Sequence, residues 1–126
     1  MKQMLIVLCL ITGTAVAQET TVTPLISKEL TGIPGKEATM ITVQYDRGAS
    51  DVIHRHNAHV FVYVLEGRVV MQVQGGEQPT LGPGQTFYEG PDDVHLVSRN
   101  ASSTEPAKFL VFFVKDKGAP ILIPVK

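Results

Sequence analysis

Val52-Ile53-His54-Arg55-His56-Asn57-Ala58-His59-Val60-Phe61-Val62-Tyr63-Val64-Leu65-Glu66-Gly67 is the stretch that decides the fold. A His-x-His pair opens it, a run of β-branched and aromatic residues follows, and a Glu-Gly turn signal closes it. Side chains at i and i+2 of an extended segment leave the same face. His54 and His56 therefore present two imidazoles side by side, and Arg55 points away. Two converging imidazoles are half of a metal site. A third histidine, His95, comes just after the Gly90-Pro91-Asp92-Asp93 turn.

Working outward, short apolar runs alternate with Gly, Pro, Asn and Asp. Residues 18–24 are polar and Thr-rich and read as loose chain, and residues 25–30 read as a short strand. Thr31-Gly32-Ile33-Pro34-Gly35 is a turn cluster. Residues 37–45 are rich in β-formers and read as a strand. Residues 52–56, 60–65, 69–74, 79–81, 86–88, 94–99, 108–114 and 121–125 follow as further strands. The closeness of residues 60–65 and 69–74 predicts a tight hairpin at Glu66-Gly67. Gly67, Gly84 and Gly90 read as backbone positions at positive φ. No apolar stripe of helical period is sustained anywhere. Many short strands with frequent turn signals argue for an all-β sandwich or barrel. Residues 60–65 and 109–114 lack clean polar–apolar alternation, which predicts cover on both faces. A second copy of the chain is the economical cover, so a homodimer is expected.

The N-terminus reads as a secretory signal. Lys2 is its positive end, residues 4–14 are apolar, and Ala15-Val16-Ala17 is a small-x-small cleavage site. The apolar run is too short for a comfortable bilayer anchor. Residues 1–17 are thus expected to be removed, leaving residues 18–126 as one domain with a core at about 37–115. The single cysteine, Cys9, leaves with the signal, and with it any disulfide or thiolate ligand. Removing Lys2 takes the formal net charge from −1 to −2 with no basic run, which disfavours nucleic acid and anionic membrane as partners.

On these residues the chain resembles the cupin superfamily, in its small single-domain form. The first cupin motif runs glycine, His-x-His, glutamate, glycine, and Gly48, His54, His56 and Gly67 occupy its places. Val60 stands where the glutamate ligand belongs, and His59 beside it is the fourth candidate if a bulge at Asn57-Ala58 turns it inward. Otherwise His59 is an exposed loop residue. Gly84, His95 and, one place late, Asn100 fit the second motif, while Gly90 stands at its proline position with Pro91 beside it and Asp92 at its second glycine. The resemblance implies an all-β, single-domain jelly-roll (double-stranded β-helix) cupin barrel.

The resemblance also implies a metal held by His54, His56 and His95. Three imidazoles with open positions suit a divalent transition metal, whether Zn, Fe, Mn, Ni or Cu. Val60, Val62, Val64, Met71 and Phe109 are expected to line the pocket. Phe61 and Tyr63 read as sheet packing, Asp92 and Asp93 as turn formers, and Glu89 as a rim charge. The expected protein is secreted, periplasmic, and binds a small-molecule ligand or substrate. Its activity would be dioxygenase-like, and the alternative is a non-catalytic small-molecule or metal-binding module.

Overall fold

A computed structural model describes residues 18–126. The signal-peptide expectation and Cys9 lie outside the described residues. Within them there are ten strands and no helix: β1 (Thr20–Glu29), β2 (Lys36–Tyr45), β3 (His54–Arg55), β4 (His59–Glu66), β5 (Val69–Val73), β6 (Thr80–Leu81), β7 (Thr86–Glu89), β8 (His95–Asn100), β9 (Ala107–Asp116) and β10 (Ile123–Pro124). They form two five-stranded antiparallel sheets, ordered β1-β2-β9-β4-β7 and β10-β3-β8-β5-β6. This is the all-β jelly-roll class expected from the sequence.

Burial alternates along β4, where Val60, Val62 and Val64 are buried and His59, Phe61, Tyr63 and Leu65 are exposed. It alternates likewise along β9, with Phe109, Val111 and Phe113 inward. Ile41, Val43 and Tyr45 of β2 join them from the same sheet, and Val69, Met71 and Leu81 come from the other, making one shared core. Each fully buried side chain of this size contributes about 1.5–3 kcal/mol.

Three sequence expectations are corrected. Residues 18–24 are not loose from Thr20 onward. They belong to β1, which runs antiparallel to β2 from Thr20↔Tyr45 to Glu29↔Glu37. Pairing overrides the polar composition, and Pro24 is tolerated because β1 is an edge strand and the register shifts beside it. Glu66-Gly67 is not a hairpin turn. β4 and β5 lie in different sheets, so the turn is a corner between them. Gly67 is at φ 69°, and a Cβ there would come within 2.4 Å of the Pro106 carbonyl oxygen. Gly84 is also at positive φ, but Gly90 is not.

Candidate metal centre

β3 is only two residues long, yet it is held on both sides. His54 pairs directly with His95 of β8 and with Pro124 of β10. Directly opposed residues of an antiparallel pair hold their Cβ atoms close, and the His54 and His95 rings lie 4.9 Å apart, centroid to centroid. His56, two residues on, shares the face of His54, and their rings lie at 4.7 Å. All three histidines are buried.

The fourth member of the cluster is Glu89. It is 1% exposed at the end of β7, and β7 pairs with β4 in a register that sets Glu89 opposite Val60. The carboxylate missing from position 60 is therefore supplied from across the ladder. One ligand atom from each of His54, His56, Glu89 and His95 can be chosen so that all lie within 4.8 Å of one another. Glu89 is not the rim charge expected from sequence. Its strand is four residues long, too short for a legible alternation, and its partnership with Val60 is non-local. The available signal was the vacancy at Val60, which calls for a carboxylate on a strand paired with β4.

His59 is not part of the cluster. β4 runs in regular register against β9 from His59 to Val64, so no bulge turns His59 inward. It is exposed, and its Nδ1 lies 2.7 Å from the Tyr88 hydroxyl. Asn57 absorbs the preceding bend at φ 50°. Asn100 is also away from the site. Its amide donates to the Asp46 and Glu105 carbonyls and fastens two loops.

The tautomers follow from the outer contacts. His54 Nδ1 lies 2.6 Å from the Val52 carbonyl, and His56 Nδ1 meets the Ile121 carbonyl. A carbonyl only accepts, so each Nδ1 carries the proton and each Nε2 keeps a lone pair. Those two Nε2 atoms face each other at 3.1 Å. Two lone pairs at that separation repel unless a proton or a cation lies between them. Glu89 adds to the demand. Its oxygens lie 2.9 Å from His56 Nε2 and 2.7 Å from His95 Nδ1. Neither contact has hydrogen-bond geometry, so both carboxylate oxygens and both His95 nitrogens are buried without a partner. Unsatisfied buried polar atoms are rare and costly. Three imidazoles and a carboxylate converging in this way are a donor set suited to a divalent transition metal.

Burial works against the Glu89 carboxylate, but the imidazoles of His56 and His95, 2.9 and 2.7 Å away, outweigh it and draw its pKa down to about 2 when they carry a proton toward it. Burial, with the neighbouring imidazoles in support, lowers His54 below its ordinary value. At neutral pH the cluster is thus poised with an ionised carboxylate and an unprotonated His54.

The cluster opens onto a cavity of about 90 Å³. Val60, Val62, Met71 and Phe109 line it as expected, but Val64 does not. That side chain is fully buried and packs within the core instead. Leu122 closes part of the wall, so the C-terminal segment contributes both the Ile121 carbonyl behind His56 and one face of the cavity. Lys115 anchors this segment by donating to the Ala119 carbonyl at 2.7 Å and pairing with Glu37.

Solved structures with the same fold include oxalate oxidase in complex with the substrate analogue glycolate (20% identity, TM-score 0.65, 84% of this chain and 55% of that one). The polyketide cyclase RemF from Streptomyces resistomycificus is similar too (21%, 0.65, 86% and 72%). So is the DMSP lyase DddQ from Ruegeria pomeroyi DSS-3 (20%, 0.62, 70% of this chain), of which this chain spans 43%. At these identities the likeness is one of fold. No curated protein matches the chain. The model of the cupin domain family matches residues 41–113, more than half of the sequence, and it covers His54, His56, Glu89 and His95: the chain belongs to the cupin domain family.

Proposed function

We propose that this protein is a secreted cupin that binds one divalent transition metal ion through His54, His56, Glu89 and His95 and acts on a small oxygen-bearing organic molecule, with dioxygenase-like chemistry as the specific reading. The observation that carries it is the pair of Nε2 lone pairs facing each other at 3.1 Å beside an unpartnered buried carboxylate. When bound, such an ion supplies a Lewis acid and, if redox-active, a centre for O₂ chemistry. The chain's own residues hold the ligand atoms in place: the Val52 and Ile121 carbonyls orient His54 and His56, and Val62, Val111 and Phe113 keep the cavity apolar. That the fold is shared with an oxidase, a lyase and a cyclase supports an enzyme by analogy of fold alone. The test is elemental analysis of untagged protein, followed by O₂ uptake with small organic acids, diketones and phenols. Near-stoichiometric metal with O₂ consumption is expected, and protein purified without metal and unable to take any up would overturn the assignment.

The second reading is a non-catalytic binding module. The cavity favours it. At about 90 Å³ it is smaller than the roughly 150 Å³ cavity that holds benzene, so a substrate has little room. Bound metal with no O₂ uptake across the panel would select this reading. Secretion rests on Lys2, the apolar run and the Ala15-Val16-Ala17 site. A homodimer is supported by Phe61, Tyr63, Leu65 and Tyr88, all exposed in the single chain. A monomer by sedimentation at micromolar concentration would refute it.

A further inference from the structure

The cavity has a second polar corner that plays no part in holding a metal. Tyr45 is fully buried, and its hydroxyl donates to Asp51 Oδ2 at 2.5 Å. The Ser98 hydroxyl lies 2.7 Å from the same phenol oxygen. Burial, reinforced by the Asp51 charge, pushes the Tyr45 phenol far above its ordinary range, so it keeps its proton. That proton is directed at Asp51, and Ser98 must therefore be the donor to the phenol oxygen. With both protons used, what Asp51 and Ser98 still offer is acceptor capacity: the second carboxylate oxygen and the serine lone pairs. Both residues line the cavity that contains the histidine cluster.

The two corners share one scaffold. His54 pairs with His95 across β3 and β8. Three residues before His54 and three after His95, the Asp51 amide donates to the Ser98 carbonyl at 2.9 Å. The bulge of β8 between His95 and Val97 brings Ser98 onto the inner face with His95, so both corners open on the same cavity. Their chemistries are opposite. Three neutral imidazoles, one carboxylate and a divalent ion leave a net positive site that attracts an anionic oxygen donor. The Asp51–Ser98 corner repels an anion and takes a hydroxyl or an ammonium. The cavity wall also includes Ile41, Val43, Val62 and Val111.

We infer that the cavity binds a short hydroxy- or amino-carboxylate, its carboxylate toward the His54/His56/Glu89/His95 cluster and its distal hydroxyl or ammonium held by Asp51 and Ser98. This rests on the metal reading above and narrows its substrate class: small dicarboxylates are disfavoured by Asp51, and aromatic substrates by volume.

The test is calorimetric titration of the full-length protein, reconstituted with Zn²⁺, with three-carbon probes that differ at one end: 3-hydroxypropionate, β-alanine and malonate. The first two should bind at least about tenfold more tightly than malonate, because a like charge against Asp51 is penalised. Asp51→Asn keeps an acceptor for Tyr45 and should bring malonate to within about twofold of 3-hydroxypropionate, with zinc content unchanged. Ser98→Ala should weaken 3-hydroxypropionate without improving malonate, and it serves if Asp51→Asn does not fold. Equal or tighter binding of malonate by the wild type, a preference that survives Asp51→Asn, or no binding of any probe to zinc-loaded protein overturns the inference and leaves the metal assignment standing. Wild-type protein that takes up no zinc overturns the metal assignment and this inference with it.

Discussion

The cavity's two polar corners lie three residues apart in sequence, at Asp51 before His54 and at Ser98 after His95, yet they are in opposite states. At Tyr45, Asp51 and Ser98 every hydroxyl proton has an acceptor. At His54, His56, Glu89 and His95 two lone pairs confront each other, and four buried nitrogen and oxygen atoms have no hydrogen-bond partner. The first corner is complete as a fold element and open only as an acceptor. The second is incomplete as a fold element, and its unsatisfied atoms are what mark it as a cation site. Burial alone does not separate the two, since both are enclosed by the same valines and phenylalanines. The count of protons against lone pairs does.

The largest effect expected from breaking this contrast is Glu89→Leu. It should weaken metal binding by roughly a hundredfold or more, beyond the usual loss for outer contacts. The metal-free variant should still fold and melt cooperatively, because an apolar side chain of similar volume replaces a buried charge. Equilibrium dialysis and thermal unfolding read the two halves separately, and a Glu89→Leu variant with full metal affinity would sink the ligand assignment. Next in size is truncation after Gly118. It removes the Ile121 carbonyl behind His56 and the β10 partner of β3. A loss of metal affinity of about 10–100-fold is expected, measured by the same dialysis.

Tyr45→Phe should act on stability alone. Leaving Asp51 and Ser98 without their shared partner costs about 1–3 kcal/mol in denaturant unfolding, with metal affinity unchanged. A large fall in affinity would mean that the two corners are coupled. Acid should then separate them by degree. His54 is depressed below its ordinary 6.5, chiefly by burial, so the unfolded chain takes its proton first. That contribution is complete above 6.5 and is lost as pH falls through the folded value. Glu89 is held at about 2 against burial by its imidazole contacts, and its contribution fades below 4.5. The metal-free protein should therefore lose thermal stability in two stages between pH 7 and pH 2. A flat profile would contradict the buried, ionised cluster. The smallest effect belongs to His59→Ala, which should leave metal content unchanged, because that ring faces outward beside Tyr88.

Much of the site was legible. His54 and His56 share a face by strand alternation, and His95 follows a turn signal. Glu89 was not legible, because its role depends on which strand lies beside Val60. A four-residue strand ahead of a Gly-Pro-Asp-Asp turn carries no trace of that pairing. The hairpin expected at Glu66-Gly67 failed for a related reason. A tight reversal has the same local chemistry whether the chain returns in one sheet or crosses to the other, and the clash that requires glycine there comes from Pro106, far away in sequence. β1 was underrated because threonines at an edge look like loop until a partner strand is present.

By itself the sequence determined what depends on neighbours along the chain: extended segments with inward valines, turns at glycine, and two imidazoles on one face. Only the tertiary structure decided what depends on pairing across the chain. It set His95 against His54, placed a carboxylate opposite Val60, and brought the C-terminal segment onto the cavity wall. The physical reason is that strand register is fixed by total burial over both sheets, whereas alternation is fixed by the geometry of a single strand.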